Sequence, residues 1–256
     1  MITEYHRPQT IEDALELLGR SNPKTLPLAG GTFLNQRRKD EFAVVDLQDL
    51  HLNTCRVVGN SLEIGASTTL QELLDFPQLP LVLKQVIQLE ATYNLRQVAS
   101  VAGTLVSATG RSPFTTAFLA LDARLTIQPN NEMAALAEVL MARLEQLPGK
   151  LITQITLPLN AKLAYHAAAR TPADLPLVCA AVVQWPSGRT RVALGGFGSA
   201  PLLALDGPEP GGIEEAVSSA YQEAGDEWAS AEYRREAAVT LANRGLLDLQ
   251  EANTPV

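Results

Sequence analysis

The sequence predicts an α+β fold built from three consecutive units, and three observations carry that prediction. Ile11, Ala14, Leu15 and Leu18 repeat at helical spacing and lead into a short strand pattern that ends at Gly30-Gly31. The alternating Leu62-Glu63-Ile64-Gly65 is followed by Thr69-Leu70-Gln71-Glu72, a capping-box match that opens a helix. Near the C-terminus two apolar runs, Ala180–Gln184 and Thr190–Leu194, flank Trp185-Pro186-Ser187-Gly188, a hairpin signal, and helical patterns close the chain.

Thr10 is placed to cap the first helix and Asp13 lies in its first turn, while Gly19 and Ser21-Asn22-Pro23 end it. Thr25–Leu28 is a strand feeding the Gly-Gly turn, and Ala43–Asp46 is a second strand, which makes the opening a small α/β unit. Between them lies the dense basic run Arg37-Arg38-Lys39, read as a solvated loop face or a phosphate contact. In the second unit Pro77 and Pro80 stop the capped helix, and Leu81–Ala91 forms the next one. Residues 93–105 are rich in small and hydroxyl side chains and run through Ser107–Pro113 into a helix over Thr116–Asp122. Leu125–Gln128 and Gln154–Leu157 are further strands, and Pro158-Leu159-Asn160 marks a boundary. Beyond the hairpin, a Gly/Pro-rich linker, Gly207–Gly212, precedes helices over Ile213–Ala224 and Ser230–Leu249. A hairpin sheet with packed helices makes the third unit α+β.

Composition bounds the function. The chain has 256 residues, 46% hydrophobic and 19% charged, enough for a sizeable core in one or two domains. A net charge of −8 argues against a dedicated nucleic-acid or anionic-membrane surface. No apolar run approaches the roughly 18 residues needed to span a bilayer. Met1-Ile2-Thr3-Glu4-Tyr5-His6 does not open a secretory signal, so a cytoplasmic location is expected. Cys55 and Cys179 stand alone and cannot supply a cluster's thiolates; they are expected to be reduced thiols. His6, His51 and His166 show no metal-ligand spacing, and no phosphate-loop or nucleophile-elbow pattern is present. Gly195-Gly196-Phe197-Gly198 lacks the dinucleotide-loop register and reads as a strand-end turn.

The most informative stretch is Leu28-Ala29-Gly30-Gly31-Thr32-Phe33-Leu34. Paired glycines leave backbone N–H groups unshielded and allow turns that aim them into one concavity, suited to a phosphate or pyrophosphate, with the Thr32 hydroxyl as a further donor. A tight turn between two elements is the alternative. Ser100-Val101-Ala102-Gly103-Thr104 repeats that chemistry ahead of a helix, with tight internal packing as its alternative.

With both loops placed, the chain resembles the medium, FAD-binding subunit of the molybdenum hydroxylases, the xanthine dehydrogenase and carbon monoxide dehydrogenase flavoprotein family. Ala29-Gly30-Gly31-Thr32 with Leu34 is similar to that family's first pyrophosphate loop, and Ser100–Thr104 sits where the family has its second. Tyr5-His6-Arg7-Pro8, Val45-Asp46-Leu47, Ile64-Gly65-Ala66 and Ala120-Leu121-Asp122-Ala123 fit the same order. So do the spacing of Tyr165, Arg170 and Asp174 and the ending Asp226–Arg235. The resemblance implies a two-subdomain FAD-binding (PCMH-type) module, residues 1–55 and 56–160. A C-terminal α+β domain with a small antiparallel sheet and helices, 161–256, would come after it.

It also implies FAD held by Leu28, Ala29, Gly30, Gly31, Thr32, Phe33 and Leu34 together with Ser100, Ala102, Gly103, Thr104, Thr109, Arg111 and Tyr165. No residue of this chain is expected to act as a catalytic acid, base or nucleophile. Electrons would come from a molybdopterin large subunit through a 2Fe–2S small subunit to the FAD and then to an acceptor. The implied protein is an oxidoreductase component whose own share is binding, orienting and tuning the cofactor.

Several positions depart from the family pattern. Ala102 replaces a glycine, where a methyl group would resist a positive φ, and Thr104 replaces an asparagine. Gln97 replaces another asparagine, Pro113 an aspartate and Ala167 a lysine, and the segment 128–146 is short. Arg111 offers a guanidinium for phosphate where backbone donors are lost. Asp174 and Arg170 are expected to pair. Three readings therefore stand beside each other: an FAD-binding electron-transfer subunit, a relative with weakened or lost FAD binding acting as a structural or assembly subunit, and a binder of another nucleotide or phosphate metabolite.

Overall fold

Residues 1–34 and 40–251 are described by a computed structural model; the Arg37-Arg38-Lys39 run lies outside the described residues. In chain order the strands and helices begin with β1 (Ile2–His6), α1 (Ile11–Leu18), β2 (Thr25–Leu28), β3 (Phe42–Asp46), β4 (Cys55–Val58), β5 (Ser61–Gly65) and α2 (Leu70–Asp75). Next come α3 (Leu81–Glu90), α4 (Tyr93–Arg96), α5 (Val101–Ser107), α6 (Pro113–Ala120), β6 (Arg124–Gln128), β7 (Glu132–Ala135) and α7 (Leu136–Gln146). The last third holds β8 (Leu151–Pro158), β9 (Lys162–Ala168), β10 (Val178–Gln184), β11 (Thr190–Gly195), β12 (Leu202–Gly207), α8 (Ile213–Ala220) and α9 (Ala231–Glu251).

These elements form two compact units that interleave along the chain. One comprises Met1–Leu79, Ala91–Ser107 and Arg124–Thr156; the other comprises Pro80–Glu90, Ala108–Ala123 and Leu157–Val256. The fold is α+β, as the sequence predicts.

In the first unit β1 and β2 both pair parallel to β3, which is buried along its whole length. A parallel strand covered on both faces must be apolar throughout, and Phe42-Ala43-Val44-Val45 meets that requirement. Helix α1 lays Ala14 and Leu18 on Val45 and Leu47. The Thr10 hydroxyl accepts from Asp13 N–H at its start, the cap expected from the sequence. A five-stranded sheet, β4-β5-β8-β6-β7, completes the unit. Helix α2 carries the predicted capping box in full: Glu72 N–H donates to Thr69 Oγ1 at 3.1 Å and Thr69 N–H to Glu72 Oε2 at 2.7 Å.

The carboxylate of Asp46 ends β3 and anchors the turn beyond it. It accepts from Tyr5 Oη, from Arg7 Nη2 at 2.7 Å and from Gln48 N–H at 3.0 Å. Burial alone would raise its pKa, but these donors together hold it below the usual carboxylate value. A depressed folded pKa means stabilisation that is complete above the unfolded value and lost as pH falls through the folded one. Asp46→Asn should therefore destabilise the protein by about 2 kcal/mol near neutral pH. The gap to wild type should narrow below about pH 4, as read by urea unfolding at both pH values.

The second unit is a four-stranded antiparallel sheet, β12-β11-β10-β9, covered by helices on both faces. Val178, Ala180 and Val182 point to α8 and α9, whereas Cys179 on the opposite face meets Thr116 of α6. That alternation matches the period of two along a strand. All eight residues of α6 are buried. The hairpin turn sits where Trp185–Gly188 predicts it, with Gln184 paired to Thr190.

Several boundaries differ from expectation. Helix α6 begins at Pro113, capped by the Ser112 side chain, rather than at Thr116, because Ser-Pro is itself a helix-start signal. Two short helices begin within 93–105, and the second, α5, contains Val101–Thr104, where the sequence points to a second phosphate loop. Helix α8 stops at Ala220, earlier than Ala224. Arg170 and Asp174 make no ion pair among the described residues; Arg170 lies over the Trp228 ring at 4.7 Å instead.

Candidate functional site

The first loop leaves β2 directly. Leu47 N–H donates to Leu28 O at 3.0 Å, which fixes the strand end from which Ala29 and Gly30 emerge. Gly30 is packed on the backbone before α5 so closely that a Cβ there would lie 1.5 Å from Val98 O. Gly31 takes φ +70°, the left-handed region that favours glycine. Among the described residues, neither the Gly30 nor the Gly31 N–H donates to a protein acceptor. Thr32 and Phe33 are exposed, and Leu34 is half-buried.

Beside this loop is a cavity of about 340 Å³. Ala29 and Gly30 form one wall; Gln48, Leu52 and Asn53 come from the stretch after β3. Ser67 and Thr69 come from the β5–α2 connection, Glu72 from the first turn of α2, and Gln97 and Val98 from the approach to α5. Gln48 is held in place by Asp46, through its own N–H, and by Arg7 Nη2, which donates to its Oε1 at 3.0 Å. Glu72 is the single charged side chain of the wall, and its capping bond to Thr69 already engages it. The cavity thus offers neutral donors and acceptors, with Gly30, whose N–H is unengaged, in its wall and Gly31 the next residue along the loop. Such a set suits a phosphodiester linked to hydroxylated sugar.

The second loop is arranged differently. Val101 N–H donates to Thr68 O at 2.8 Å, Ala102 N–H to Ala66 O at 3.2 Å and Gly103 N–H to Ser100 Oγ at 3.2 Å. Thr104 N–H and its hydroxyl both donate to Ser100 O, each at 2.9 Å. Ser100 also bridges to Thr69, and Leu70 N–H donates to Ala99 O. The segment 99–104 is therefore stitched onto the β5–α2 connection, with the N–H groups of Val101, Ala102, Gly103 and Thr104 engaged. Ala102 lies in α5 without a positive φ, so the strain expected of a methyl group there does not arise.

The remaining sequence-predicted residues belong to the second unit. Thr109 Oγ1 accepts from Arg111 N–H at 3.3 Å. The Arg111 guanidinium donates from Nε to Pro176 O at 3.0 Å and from Nη2 to Leu175 O at 2.6 Å, and lies 4.8 Å from the Trp228 ring centre. Two of its donor positions thus serve the protein itself. The N-terminus of α6 is faced by Glu90, whose Oε2 accepts from Ser112 Oγ at 2.8 Å and from Phe114 N–H at 2.9 Å. Burial raises the Glu90 pKa above the usual carboxylate value. Tyr165 stands on β9 with its hydroxyl buried, and burial together with the neighbouring Cys179 raises its pKa well above the usual phenol value. Cys179 itself is pushed up to about 11 by burial, which keeps it an unreactive thiol.

Leu28–Leu34 and Ser100–Thr104 are thus brought together in one unit, joined through Gly30 on Val98, while Thr109, Arg111 and Tyr165 lie in the other. Sequence reasoning missed Gln48, Asn53 and Ser67 as cavity wall, since nothing local distinguishes them from ordinary loop residues. Among the described residues no group of His, Cys, Asp or Glu is placed to hold a metal ion, and no helix is long and apolar enough to cross a membrane.

Residues 1–160 match the family of FAD-binding domains in molybdopterin dehydrogenases. Over nearly the whole length, 98% of each chain, the sequence is 30% identical to YgfM of Escherichia coli K12. It is 28% identical to the carbon monoxide dehydrogenase medium chain of Afipia carboxidovorans, over 95% of each. Among solved structures it is similar to CO dehydrogenase from Oligotropha carboxidovorans, with a TM-score of 0.78, 25% identity and coverage of 95% and 96%. Quinoline 2-oxidoreductase from Pseudomonas putida shares the fold at a TM-score of 0.76 and 19% identity, with coverage of 96% and 95%.

Proposed function

The chain belongs to the FAD-binding family of the molybdopterin dehydrogenases, and from that premise we propose that it is the electron-transferring medium subunit of a cytoplasmic molybdenum hydroxylase. Its cofactor is FAD, and it is a component of an oxidoreductase. Redox chemistry is the flavin's own. Electrons would arrive from a molybdopterin large subunit through a 2Fe–2S small subunit and leave to an acceptor. The observation that carries this reading is the loop with unengaged N–H groups on Gly30, which lines the cavity, and on Gly31, which follows it.

The chain's residues would bind and orient. Gly30 and Gly31 would donate to the pyrophosphate, with Thr32 adding its hydroxyl and Leu28, Ala29, Phe33 and Leu34 framing the loop. Gln48, Asn53 and Gln97 would serve the sugar hydroxyls. In this proposal Ser100, Ala102, Gly103 and Thr104 contribute mainly by backing the first loop, and Thr109, Arg111 and Tyr165, which belong to the other unit, are left to that unit's own packing. We keep 1–55 and 56–160 as the flavin-holding segments and 161–256 as the C-terminal one, with Pro80–Glu90 and Ala108–Ala123 built into the C-terminal unit.

A second reading draws on the engaged donors of α5: a subunit whose flavin grip is weak and whose main role is assembly. Photoreduction of the purified complex under anaerobic conditions separates the two. Bleaching of a flavin band near about 450 nm once the clusters are reduced supports electron transfer. Reduced clusters beside an unbleached or absent flavin band support the assembly role.

A further inference from the structure

The surface of the second unit carries an arrangement that flavin binding does not use. Trp228 is 42% exposed, and two guanidiniums lie over its ring, Arg111 at 4.8 Å and Arg170 at 4.7 Å. Among the described residues neither arginine forms an ion pair, and Arg170 makes no hydrogen bond. Asp226, the neighbouring carboxylate of the turn, is engaged with Arg234 and with the N–H groups of Trp228 and Ala229. Two like charges on one indole, without a counter-ion, in a chain of net charge −8, call for an anionic complement from outside.

The platform is also rigid. Arg234, fully buried, donates to Leu177 O, Ala224 O and Ala229 O and to Asp226, fixing both the turn that presents Trp228 and the strand entry beside it. Arg111 ties the same region through Leu175 O and Pro176 O. Leu175 adds an apolar edge, 39% exposed. Preorganised Trp and Arg side chains of this kind are what interface hot spots are made of.

We propose that Trp228, Arg111 and Arg170 form a docking surface for an acidic segment of a partner subunit, whose carboxylates pair with the two guanidiniums while an apolar side chain packs on the indole. The proposal rests on the assembly part of the function proposed above. It is tested by co-expressing the full chain with its iron–sulfur and molybdopterin subunits and measuring association for wild type, R170E, W228A and the surface control R56E. R170E and W228A should weaken association at least tenfold while leaving FAD content and thermal midpoint unchanged. R56E should match wild type, and added salt should weaken the wild-type complex. R170E associating as tightly as wild type overturns the proposal while leaving the assembly reading intact. A wild-type chain that holds flavin but associates with neither subunit removes both. Inorganic pyrophosphate alone shifting Trp228 emission in wild type but not in R170E would assign the site to a small anion and overturn the docking surface.

Discussion

Alanine at position 30 is expected to abolish the flavin site and destabilise the fold. A Cβ there would lie 1.5 Å from Val98 O and 2.4 Å from Val98 C, atoms of a backbone that cannot rotate away. The Val98–Thr104 segment is itself held by Thr68, Ala66 and Ser100, so the first loop must move instead. Overpacking of this kind costs about 3 kcal/mol. Displacing the loop also moves Gly30 out of the cavity wall and carries both loop donors with it, and FAD affinity should fall at least tenfold, about 1.4 kcal/mol. Gly31→Asn makes the comparison sharp. Asparagine tolerates the left-handed φ of +70°, so that variant should lose less than about 1 kcal/mol. Thermal unfolding with and without FAD reads both effects.

Arg234→Met should produce the largest loss of stability in the second unit. The side chain has no exposed surface, and its guanidinium satisfies three carbonyls and Asp226 while lying 5.1 Å from the Phe197 ring centre. Methionine fills much of the volume but leaves those acceptors without partners in a buried setting. The expected cost is about 4 kcal/mol. Lysine restores the charge but not the planar fork that reaches several acceptors at once, so Arg234→Lys should recover only part of it. Denaturant unfolding measures the loss. Trp228 emission should shift in the folded variant, because the turn from Asp226 to Ala229 is no longer anchored.

The legible parts of the fold were those specified by neighbours in sequence. The Thr10 cap, the Thr69–Glu72 capping box, the β2 strand before Gly30 and the Trp185–Gly188 hairpin each depend on residues a few positions apart. The parts that escaped depend on distant segments. Nothing near Leu81–Glu90 or Pro113–Ala120 announces that these helices join the C-terminal sheet while the chain between them returns to the first unit. Arg170 and Asp174 have pairing distance in sequence, but both lie beyond the end of β9, and the indole of Trp228 takes the arginine elsewhere. For the site, the first loop was readable because two adjacent glycines leave few structural options. The second loop was not, because its donors are engaged by Ala66 and Thr68, more than thirty residues away along the chain.

In the proposed function the Gly30-Gly31 loop suffices to hold FAD even though the donors of α5 are engaged within the protein. FAD titration of the purified full-length chain, with flavin absorbance and thermal midpoint as the two readouts, tests it most directly. The purified chain should take up FAD and show a band near about 450 nm. Its midpoint should also rise, reflecting about 2.7 kcal/mol at a hundredfold excess over Kd, with both signals lost in Gly30→Ala. A colourless wild-type chain whose midpoint does not move with added FAD would contradict it.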